Sequence, residues 1–460
     1  MQTLQNCRPR TDDRSNSTLM QSFTRSHFLI SAPSSNSGKT TLTLALLRAL
    51  KNRGLSVQPF KCGPDYIDPI HHTSAAGSQS INLDTFMASE NHVRRVYAKY
   101  SDGADVSVTE GVMGLFDGAD KMSGSSAEIA HLMDIPVILV VNARSMAYSA
   151  APLLFGFKNF DKRVNVAGVI FNFVSTPSHY RFLKEACVDA GVESLGYFPQ
   201  NNTLSIPSRH LGLHISAETN YEQIIGDLAE ALPKTVDLNR LLEITQRPDE
   251  DNYPGPVHAL PKISNLKISI ARDEAFSFIY KQNIEMLGRF GEIRWFSPLH
   301  DAVLPETDFL YLPGGYPELF AEKLSENTSM RASINDYCKR GGRALAECGG
   351  MMYLAKNLTD QSGDIFPMAG VLDCATSMQR AKMTLGYRIA DWNNIRIKGH
   401  EFHYSNFLDN DMPCEAINVT NAKGVETDTK FYRFQNTVAS YMHLYWADNE
   451  SFIENLLAIN

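Results

Sequence analysis

The hydrophobic positions in the first half of the chain form short apolar runs that alternate with longer segments of helical spacing. The runs are rich in β-branched residues, and turn-rich segments follow them. Such runs are typical of strands buried on both faces, as in a parallel sheet covered by helices. The pattern predicts strands at residues 27–31, 57–60, 106–110, 136–141 and 166–172. At the carboxyl ends of these strands we expect a ligand site.

The alternation stops over residues 247–262, which contain four prolines, one glycine and an acidic cluster. This composition is typical of an interdomain linker. The alternation then resumes, with predicted strands at residues 267–271, 293–296, 309–312 and 343–346. Residues 1–26 are polar and predict a disordered tail. We therefore expect two α/β domains, at residues 27–246 and 263–460.

A loop of small residues follows the first predicted strand and ends in Gly38-Lys39-Thr40, at the start of a helical segment. Strand, loop and helix in this order are the context of a phosphate-binding loop, in which backbone N–H groups face phosphate oxygens. Lys39 would reach the β- and γ-phosphates of ATP, and the Thr40 hydroxyl would hold Mg²⁺. Pro33 stands where the first glycine of the usual pattern is expected. The predicted ATP contacts are Ser37, Gly38, Lys39, Thr40 and Thr41.

Carboxylates stand in the turn-rich segments that follow two strands: Asp65 after the second, Glu110 and Asp117 after the third. Acids at this edge can hold Mg²⁺ around a nucleotide or orient a substrate. Turn formation and helix capping are the competing interpretation. Together with the phosphate loop, the acids favour a site in which Thr40, Asp65 and Glu110 hold the metal. Asn172, which ends the fifth strand, either contacts the purine or starts a turn.

Cys348 lies between a predicted strand and a helical segment, and Gly349 follows it. A tight turn of this kind presents a nucleophile at a helix N-terminus, which we expect to lower the pKa of the thiol. Gly314 and Gly315 form a second glycine-rich turn after a strand. Backbone N–H groups of Gly314, Gly315 and Gly349 could stabilise the oxyanion that forms when a thiolate attacks an amide. A buried, unreactive cysteine is the competing interpretation.

Three histidines near the C-terminus are candidates for the base that activates Cys348, namely His400, His403 and His443. His443 is favoured because it lies close to the end of the last α/β unit. A cysteine and a histidine beside an ATP-binding domain indicate a glutamine-dependent amide synthetase. In such an enzyme the thiol releases ammonia from glutamine, and ATP activates the carboxylate that ammonia attacks.

Seven segments carry a resemblance to a known family, in order over about residues 27–446: 32–41, 61–69, 110–118, 208–213, 312–318, 346–350 and 399–405. In these segments the chain resembles the cobyrinic acid a,c-diamide synthases, which are cobalamin-pathway glutamine amidotransferases. The resemblance implies a P-loop N-terminal domain similar to dethiobiotin synthetase and a C-terminal class I glutaminase domain. It implies that Cys348 is the nucleophile and His443 its activator, without a glutamate two residues after the histidine.

The implied reaction is the ATP-dependent amidation of the a- and c-carboxylates of cobyrinate or hydrogenobyrinate, with glutamine or ammonia as nitrogen donor and acyl phosphates as intermediates. The implied ligands are ATP with Mg²⁺, L-glutamine and a cobyrinate-type corrinoid. The positions that shape substrate binding and amidation in the family match Asp65, Tyr66, Ile67, Glu110 and Asp117. Asn36 departs from the family because it replaces a usual loop glycine.

Other activities stay open at this point. A nickel-sirohydrochlorin a,c-diamide synthase or a cobyric acid synthase would use the same machinery, and a P-loop ATPase switch would not synthesise an amide at all. The net charge of −8 argues against general nucleic-acid binding, and no apolar run reaches the about 18 residues of a membrane span. The seven cysteines include no C-x-x-C pair, so no zinc site or disulfide framework is indicated. We expect a protein of the reducing cytoplasm, with a homodimer as one open option.

Overall fold

A parallel sheet organises the N-terminal half, and its middle strand leads into the phosphate-binding loop. The structure, a computed structural model, describes residues 24–199, 221–248, 262–380, 382–410 and 412–457. The strands of this sheet are β1 (Thr24–Ser31), β2 (Val57–Cys62), β3 (Ile81–Leu83), β4 (Val106–Glu110), β5 (Val137–Asn142), β6 (Val166–Val174), β7 (Glu193–Pro199) and β8 (Gln246–Pro248). The first seven are parallel, in the order β3-β2-β4-β1-β5-β6-β7, and β8 pairs antiparallel with the start of β1.

Helices cover both faces of this sheet, as the continuous burial of its strands requires. They are α1 (Lys39–Asn52), α2 (Ile67–Ala76), α3 (Glu90–Ser101), α4 (Ser126–Met133), α5 (Ala150–Phe160), α6 (Pro177–Ala190), α7 (Tyr221–Ala231), a short 3₁₀ helix at Leu232–Lys234, and α8 (Leu238–Ile244). One hydrophobic cluster lies under α1, α2, α7 and α8, and another lies under α3 to α6. No helix in the described part of the chain is long and apolar enough to cross a membrane.

The C-terminal half is built around a second, mainly parallel sheet with two smaller sheets beside it. Its strands are β9 (Leu266–Ala271), β10 (Gly291–Phe296), β11 (Phe309–Leu312), β12 (Arg343–Glu347), β13 (Asn357–Thr359), β14 (Ile365–Pro367), β15 (Cys374–Ser377), β16 (Thr384–Trp392), β17 (Ile395–His403), β18 (Asn406–Asn410), β19 (Val419–Asn421), β20 (Phe431–Phe434), β21 (Thr437–Ser440) and β22 (Met442–Tyr445). The main sheet has the order β10-β9-β11-β12-β21-β20, and the smaller sheets have the orders β14-β13-β15-β18 and β19-β16-β17-β22. The helices are α9 (Lys281–Phe290), a 3₁₀ helix at Pro317–Phe320, α10 (Ala321–Glu326), α11 (Thr328–Lys339), α12 (Gly349–Leu354) and α13 (Glu450–Leu457).

The predicted fold class is confirmed, and all nine predicted strands are present with ends that differ by at most a few residues. Two elements extend beyond the predicted domain limits. Strand β1 begins at Thr24, within the predicted tail, and β8 includes Arg247 and Pro248 from the predicted linker. The two segments pair with each other, which explains why polar sequence here is ordered. Residues 1–23 of the tail and 249–261 of the linker lie outside the described residues.

The two halves share one hydrophobic cluster, in which Phe278 and Tyr280 join side chains of the N-terminal sheet. The segment after β3 docks on the β16–β17 hairpin of the other half. The Tyr387 hydroxyl donates to Asp84 Oδ2 (2.8 Å), and the rings of Phe86 and Tyr387 are 4.3 Å apart. The N-terminal sheet is therefore connected to the β16–β17 hairpin of the C-terminal half through packed side chains.

Candidate functional site

The phosphate-binding loop between β1 and α1 has the backbone that its sequence requires. Asn36 has a φ of 62° and Gly38 a φ of 87°, both in the left-handed region. Asparagine tolerates this region better than most residues, so the exchange of a usual glycine for Asn36 keeps the turn. Lys39 is the first residue of α1. Its Nζ donates to the Met113 carbonyl oxygen, and burial lowers the pKa of Lys39 to about 8.

Asn172 supports this loop through a side-chain hydrogen bond, and its purine contact stays a prediction. Its side-chain Nδ2 donates to the Ser37 carbonyl oxygen (3.0 Å), and its Oδ1 accepts from the Phe173 N–H (2.9 Å). A Cβ at Gly38 would come within 1.9 Å of Asn172 Nδ2. The side chain of Asn172 is thus used inside the protein, and glycine is needed at position 38 to let it approach.

Glu110, at the end of β4, is the centre of a buried polar cluster beside the loop. Its Oε1 accepts from Thr40 Oγ1 (2.8 Å) and from Lys61 Nζ (3.0 Å), and its Oε2 lies 2.6 Å from His72 Nε2. Burial alone would raise the pKa of Glu110, but Lys61 and His72 hold it well below its usual range. Glu110 is therefore an ionised carboxylate next to the threonine of the loop.

Lys61 and His72 are members of this cluster that the sequence analysis did not single out. Lys61 also forms an ion pair with Asp68 Oδ2 (2.7 Å), and both side chains are almost fully buried. A charged residue within β2, whose positions are all buried, is a signal that would have identified Lys61. Asp68 and His72 stand four residues apart on α2, so they share one helix face.

Asp65 and Asp117, two predicted substrate residues, both serve turns in this structure. Asp65 Oδ1 accepts from the backbone N–H groups of Ile67 and Asp68 (2.9 Å each), which caps α2. Asp117 is exposed, and its Oδ2 accepts from the Gly114 N–H (3.0 Å). The competing interpretation, capping and turn formation, therefore applies to both acids. Tyr66, between Asp65 and Ile67, is buried against the C-terminal half.

The residues of the phosphate loop fit a magnesium ion that accompanies a nucleotide. The Thr40 hydroxyl and the ionised Glu110 carboxylate are hard oxygen donors in hydrogen-bond contact, which is the donor type that Mg²⁺ prefers. The metal role of Thr40, Asp65 and Glu110 stays a prediction, and Asp65 Oδ1 also caps a helix. Among the described residues there is no cluster of three His, Cys, Asp or Glu side chains that could hold a metal ion.

Cys348 occupies a strained turn between β12 and α12. Its φ of 45° and ψ of −105° lie outside the regions that side-chain-bearing residues favour. Its N–H donates to the Ser440 carbonyl oxygen (2.7 Å), which ties the turn to β21. The expected fall in the pKa of the thiol is wrong for this structure. Burial and the nearby Glu318 carboxyl raise the pKa of Cys348, and only the Gly349 N–H acts in the predicted direction.

The second glycine-rich turn lies between Cys348 and His443. A Cβ at Gly349 would come within 3.0 Å of the Gly315 nitrogen, and a Cβ at Gly314 would come within 2.2 Å of His443 Cε1. These approaches are possible because all three positions are glycines. The turn, the start of α12 and the His443 ring are thereby brought together.

His443 is the candidate base whose ring nitrogens are available. His403 Nε2 lies 3.1 Å from Glu401 Oε1, and its Nδ1 lies 2.9 Å from the Ser405 carbonyl oxygen. His400 Nδ1 lies 3.2 Å from the Tyr280 hydroxyl. Neither nitrogen of His443 has a hydrogen-bond partner among the described residues. Burial lowers the pKa of His443, so the ring is the neutral form that a general base requires.

Glu347, directly before the cysteine, is a further residue of this site that sequence reasoning did not assign. Its Oε1 accepts from the Leu444 N–H (2.9 Å), next to His443, and its Oε2 accepts from the Tyr311 hydroxyl (2.7 Å). Burial raises the pKa of Glu347 to about 8. The neutral Glu347 carboxyl therefore links the end of β12, directly before Cys348, to β22, which contains His443.

Comparison with known proteins gives a family for each half of the chain. Residues 28–213 match the family described as the CobQ/CobB/MinD/ParA nucleotide binding domain, and residues 267–451 match the CobB/CobQ-like glutamine amidotransferase domain. A cobyrinate a,c-diamide synthase of Picrophilus torridus is 39% identical over 93% of this chain and 97% of its own length. A hydrogenobyrinate a,c-diamide synthase of Brucella ovis is 41% identical, over 91% of this chain and 98% of its own length. A cobyrinate a,c-diamide synthase of Caldanaerobacter subterraneus is 40% identical, over 91% and 94%. The chain therefore belongs to the family of cobyrinate and hydrogenobyrinate a,c-diamide synthases, with a nucleotide-binding domain followed by a glutamine amidotransferase domain.

Proposed function

We propose that this enzyme uses ATP and glutamine to convert the a- and c-carboxylates of a cobyrinate-type corrinoid into amides, as a step of cobalamin biosynthesis. The observation that carries the proposal is the pairing of two sites in one chain. One is a phosphate loop whose Thr40 contacts the ionised Glu110. The other is a glycine-rich turn that adjoins both Gly349, next to the strained Cys348, and His443, whose ring nitrogens have no partner among the described residues. The relatives at about 40% identity, which carry the names of these synthases, support the choice of substrate.

The N-terminal site activates the carboxylate. A carboxylate oxygen of the corrinoid attacks the γ-phosphorus of ATP, and the bond to the β–γ bridging oxygen breaks, which gives an acyl phosphate and ADP. Lys39 would neutralise the charge that develops on the phosphates, after its Nζ leaves the Met113 carbonyl. Bound Mg²⁺, held by Thr40 and Glu110, would supply further positive charge at the β- and γ-phosphates. Ammonia then attacks the acyl carbon, phosphate leaves, and the nitrogen loses a proton to give the amide.

The C-terminal site releases that ammonia. His443 takes the Cys348 proton as the sulfur attacks the amide carbon of glutamine, and backbone N–H groups of Gly315 and Gly349 face the oxyanion. Ammonia leaves with the proton from His443, and water hydrolyses the remaining thioester to glutamate. Because burial raises the pKa of Cys348, we expect proton transfer to the histidine to accompany the attack. We place the reaction in the cytoplasm, where ATP and glutamine are present.

Two variants test the proposal by nitrogen source. Cys348→Ser should lower glutamine-dependent amidation by about 10³-fold or more while amidation with ammonium salts continues, because only the glutaminase nucleophile is lost. Lys39→Ala should abolish amidation with either source. Amide formation and glutamate release are measured by mass spectrometry. Glutamine-dependent activity in Cys348→Ser would remove the cysteine from the mechanism, and an unchanged rate in Lys39→Ala would remove the ATP site.

The same assay separates the alternative substrates. Cobyrinate and hydrogenobyrinate differ in the central metal, and the relatives carry both names. We expect a mass change of two amides on one or both of them, and none on nickel-sirohydrochlorin. Glutamate release without amide formation on any tetrapyrrole would contradict the proposed ligase.

A further inference from the structure

No hydrogen bond from the described residues orients the ring of His443. Both ring nitrogens are buried without a partner among the described residues, and Tyr445 stands two residues later, where other class I glutaminases place a glutamate. A base must hold one orientation to take a proton within hydrogen-bond reach, so something else has to fix the ring. The contacts around it are aromatic: His400 stacks on it at 5.0 Å, and Phe278 lies at 6.0 Å.

A further aromatic contact of the His443 ring comes from the nucleotide-binding half. The ring of Tyr66, in the loop between β2 and α2, lies 5.3 Å from the His443 ring and 5.5 Å from the His400 ring. Tyr66 is only 8% exposed. It stacks on Phe278 at 4.8 Å with an interplanar angle of 3°, and its ring lies 4.7 Å from the Tyr280 ring. The Tyr66 ring therefore projects from the nucleotide-binding half and packs against aromatic side chains of the glutaminase half.

The loop that carries Tyr66 is held rigidly, so its ring can serve as a fixed surface. Asp65 Oδ1 caps α2 on one side of Tyr66. Asn82 Nδ2 donates to the carbonyl oxygens of Gly63 (3.0 Å) and Asp65 (2.7 Å), and the Asn82 carbonyl accepts from Gln282 Nε2 (3.1 Å) of the other half. Contacts on both sides of the domain boundary thus set the position of the ring.

We propose that Tyr66 of the nucleotide-binding domain is a positioning residue for the glutaminase, whose ring holds the His443 imidazole in the orientation that accepts the Cys348 proton. The inference rests on the proposed roles of Cys348 and His443. It assigns to packing the function that a hydrogen-bonded acid has in a triad. A consequence is that the glutaminase site is complete only when the two domains are docked.

The test measures the glutaminase half alone, in the full chain without ATP or corrinoid. The probe is 6-diazo-5-oxo-L-norleucine, a diazoketone analogue of glutamine, and the readout is covalent labelling of Cys348 by intact mass. Tyr66→Leu should lower the labelling rate constant at saturation by about tenfold or more, and the half-saturating concentration should change less than about twofold. Tyr66→Phe keeps the ring and should recover most of the lost rate.

Tyr97→Leu is the matched control, because Tyr97 is a buried tyrosine of the same domain that packs on Phe60 and His27, away from His443. It should label at the wild-type rate. A wild-type rate in Tyr66→Leu, or a Tyr66→Phe rate as low as that of Tyr66→Leu, would overturn the inference. Rapid labelling in His443→Ala, or labelling of Cys348→Ser, would instead overturn the proposed function. If Tyr66→Leu does not fold, Tyr66→Met provides the same comparison with a flexible side chain.

Discussion

Cys348 holds a backbone conformation that costs free energy and that the protein keeps for a chemical reason. A residue with a side chain at a φ of 45° and ψ of −105° stores roughly 1–3 kcal/mol of strain. Glycine relieves this strain, whereas alanine retains it. We expect Cys348→Gly to be more stable than Cys348→Ala by about 1 kcal/mol, although both lack the thiol. Urea unfolding of the two variants measures the difference, and equal stabilities would show that the turn is not strained.

Glu347 makes the stability of the glutaminase domain depend on pH. Burial raises its pKa from 4.5 to about 8, so the folded state binds a proton that the unfolded state loses between these values. This contribution to stability is complete below about pH 4.5 and is lost as the pH rises to about 8. Glutamine cannot ionise but matches the neutral carboxyl in shape. The stability of Glu347→Gln relative to wild type should therefore rise from pH 5 to pH 8 in urea titrations; a constant difference would mean that Glu347 is ionised when folded.

At this scale the sequence predicts residues that act through local motifs and misses those that act through distant contacts. Lys39 and Thr40 follow from Gly-Lys-Thr at a helix start, and Cys348 follows from its flanking glycines. The role of Asn172 depends on a contact with Ser37, 135 positions away, which no local pattern contains. The helix terminus predicts a lowered pKa for the Cys348 thiol, but burial by other segments raises it.

Helix α2 shows how one side chain can serve an element and a reaction at the same time. Asp65 caps its first turn, and removal of such a cap costs about 1 kcal/mol. Asparagine caps as well as aspartate but carries no charge. Asp65→Ala should lower the free energy of unfolding by about 1 kcal/mol, whereas Asp65→Asn should leave it unchanged.

Ammonia-dependent amidation by the same two variants separates the cap from the charge. Both should be slow if the negative charge of Asp65 acts on the substrate, as the family positions imply. Normal amidation by Asp65→Asn would leave capping as the whole function of this aspartate.

Several strands with continuous burial follow from the sequence, whereas the mixed strands of the two small sheets do not. Five of the six positions of β5 are buried, and its apolar run is visible in the sequence. In β16 buried and partly exposed residues are mixed, and β14 is three residues long with Ile365 at 66% exposure. Short antiparallel strands of this kind depend on their partners for stability rather than on their own pattern. The two small sheets of the C-terminal half were therefore not foreseen.

The docking of the two halves is a property of the whole molecule that neither domain sequence reveals. The family resemblance implies a substrate role for Tyr66, which stays a prediction, and the Tyr66 ring lies against two histidines of the other half. The side chains at this boundary come from segments about 200 to 360 positions apart, as in the pairs Gln282–Asn82 and Ser89–Asp448. Such contacts depend on how the two folded halves are placed relative to each other.

The shared hydrophobic cluster should make the two halves unfold together. Phe86, in the N-terminal half, packs on Tyr387, and Lys398 Nζ lies 5.2 Å from the centre of the Phe86 ring. All three tryptophans, Trp295, Trp392 and Trp446, belong to the C-terminal half, so intrinsic fluorescence reports that half alone. Phe86→Ala should shift the fluorescence-detected unfolding transition by about 1–3 kcal/mol, because packing lost at the boundary destabilises both halves. Phe155→Ala, at a residue of the same half that is 58% exposed, should change it by less than about 0.5 kcal/mol. An unchanged tryptophan transition in Phe86→Ala would mean that the halves unfold independently, and it would also weaken the case for a glutaminase completed by Tyr66.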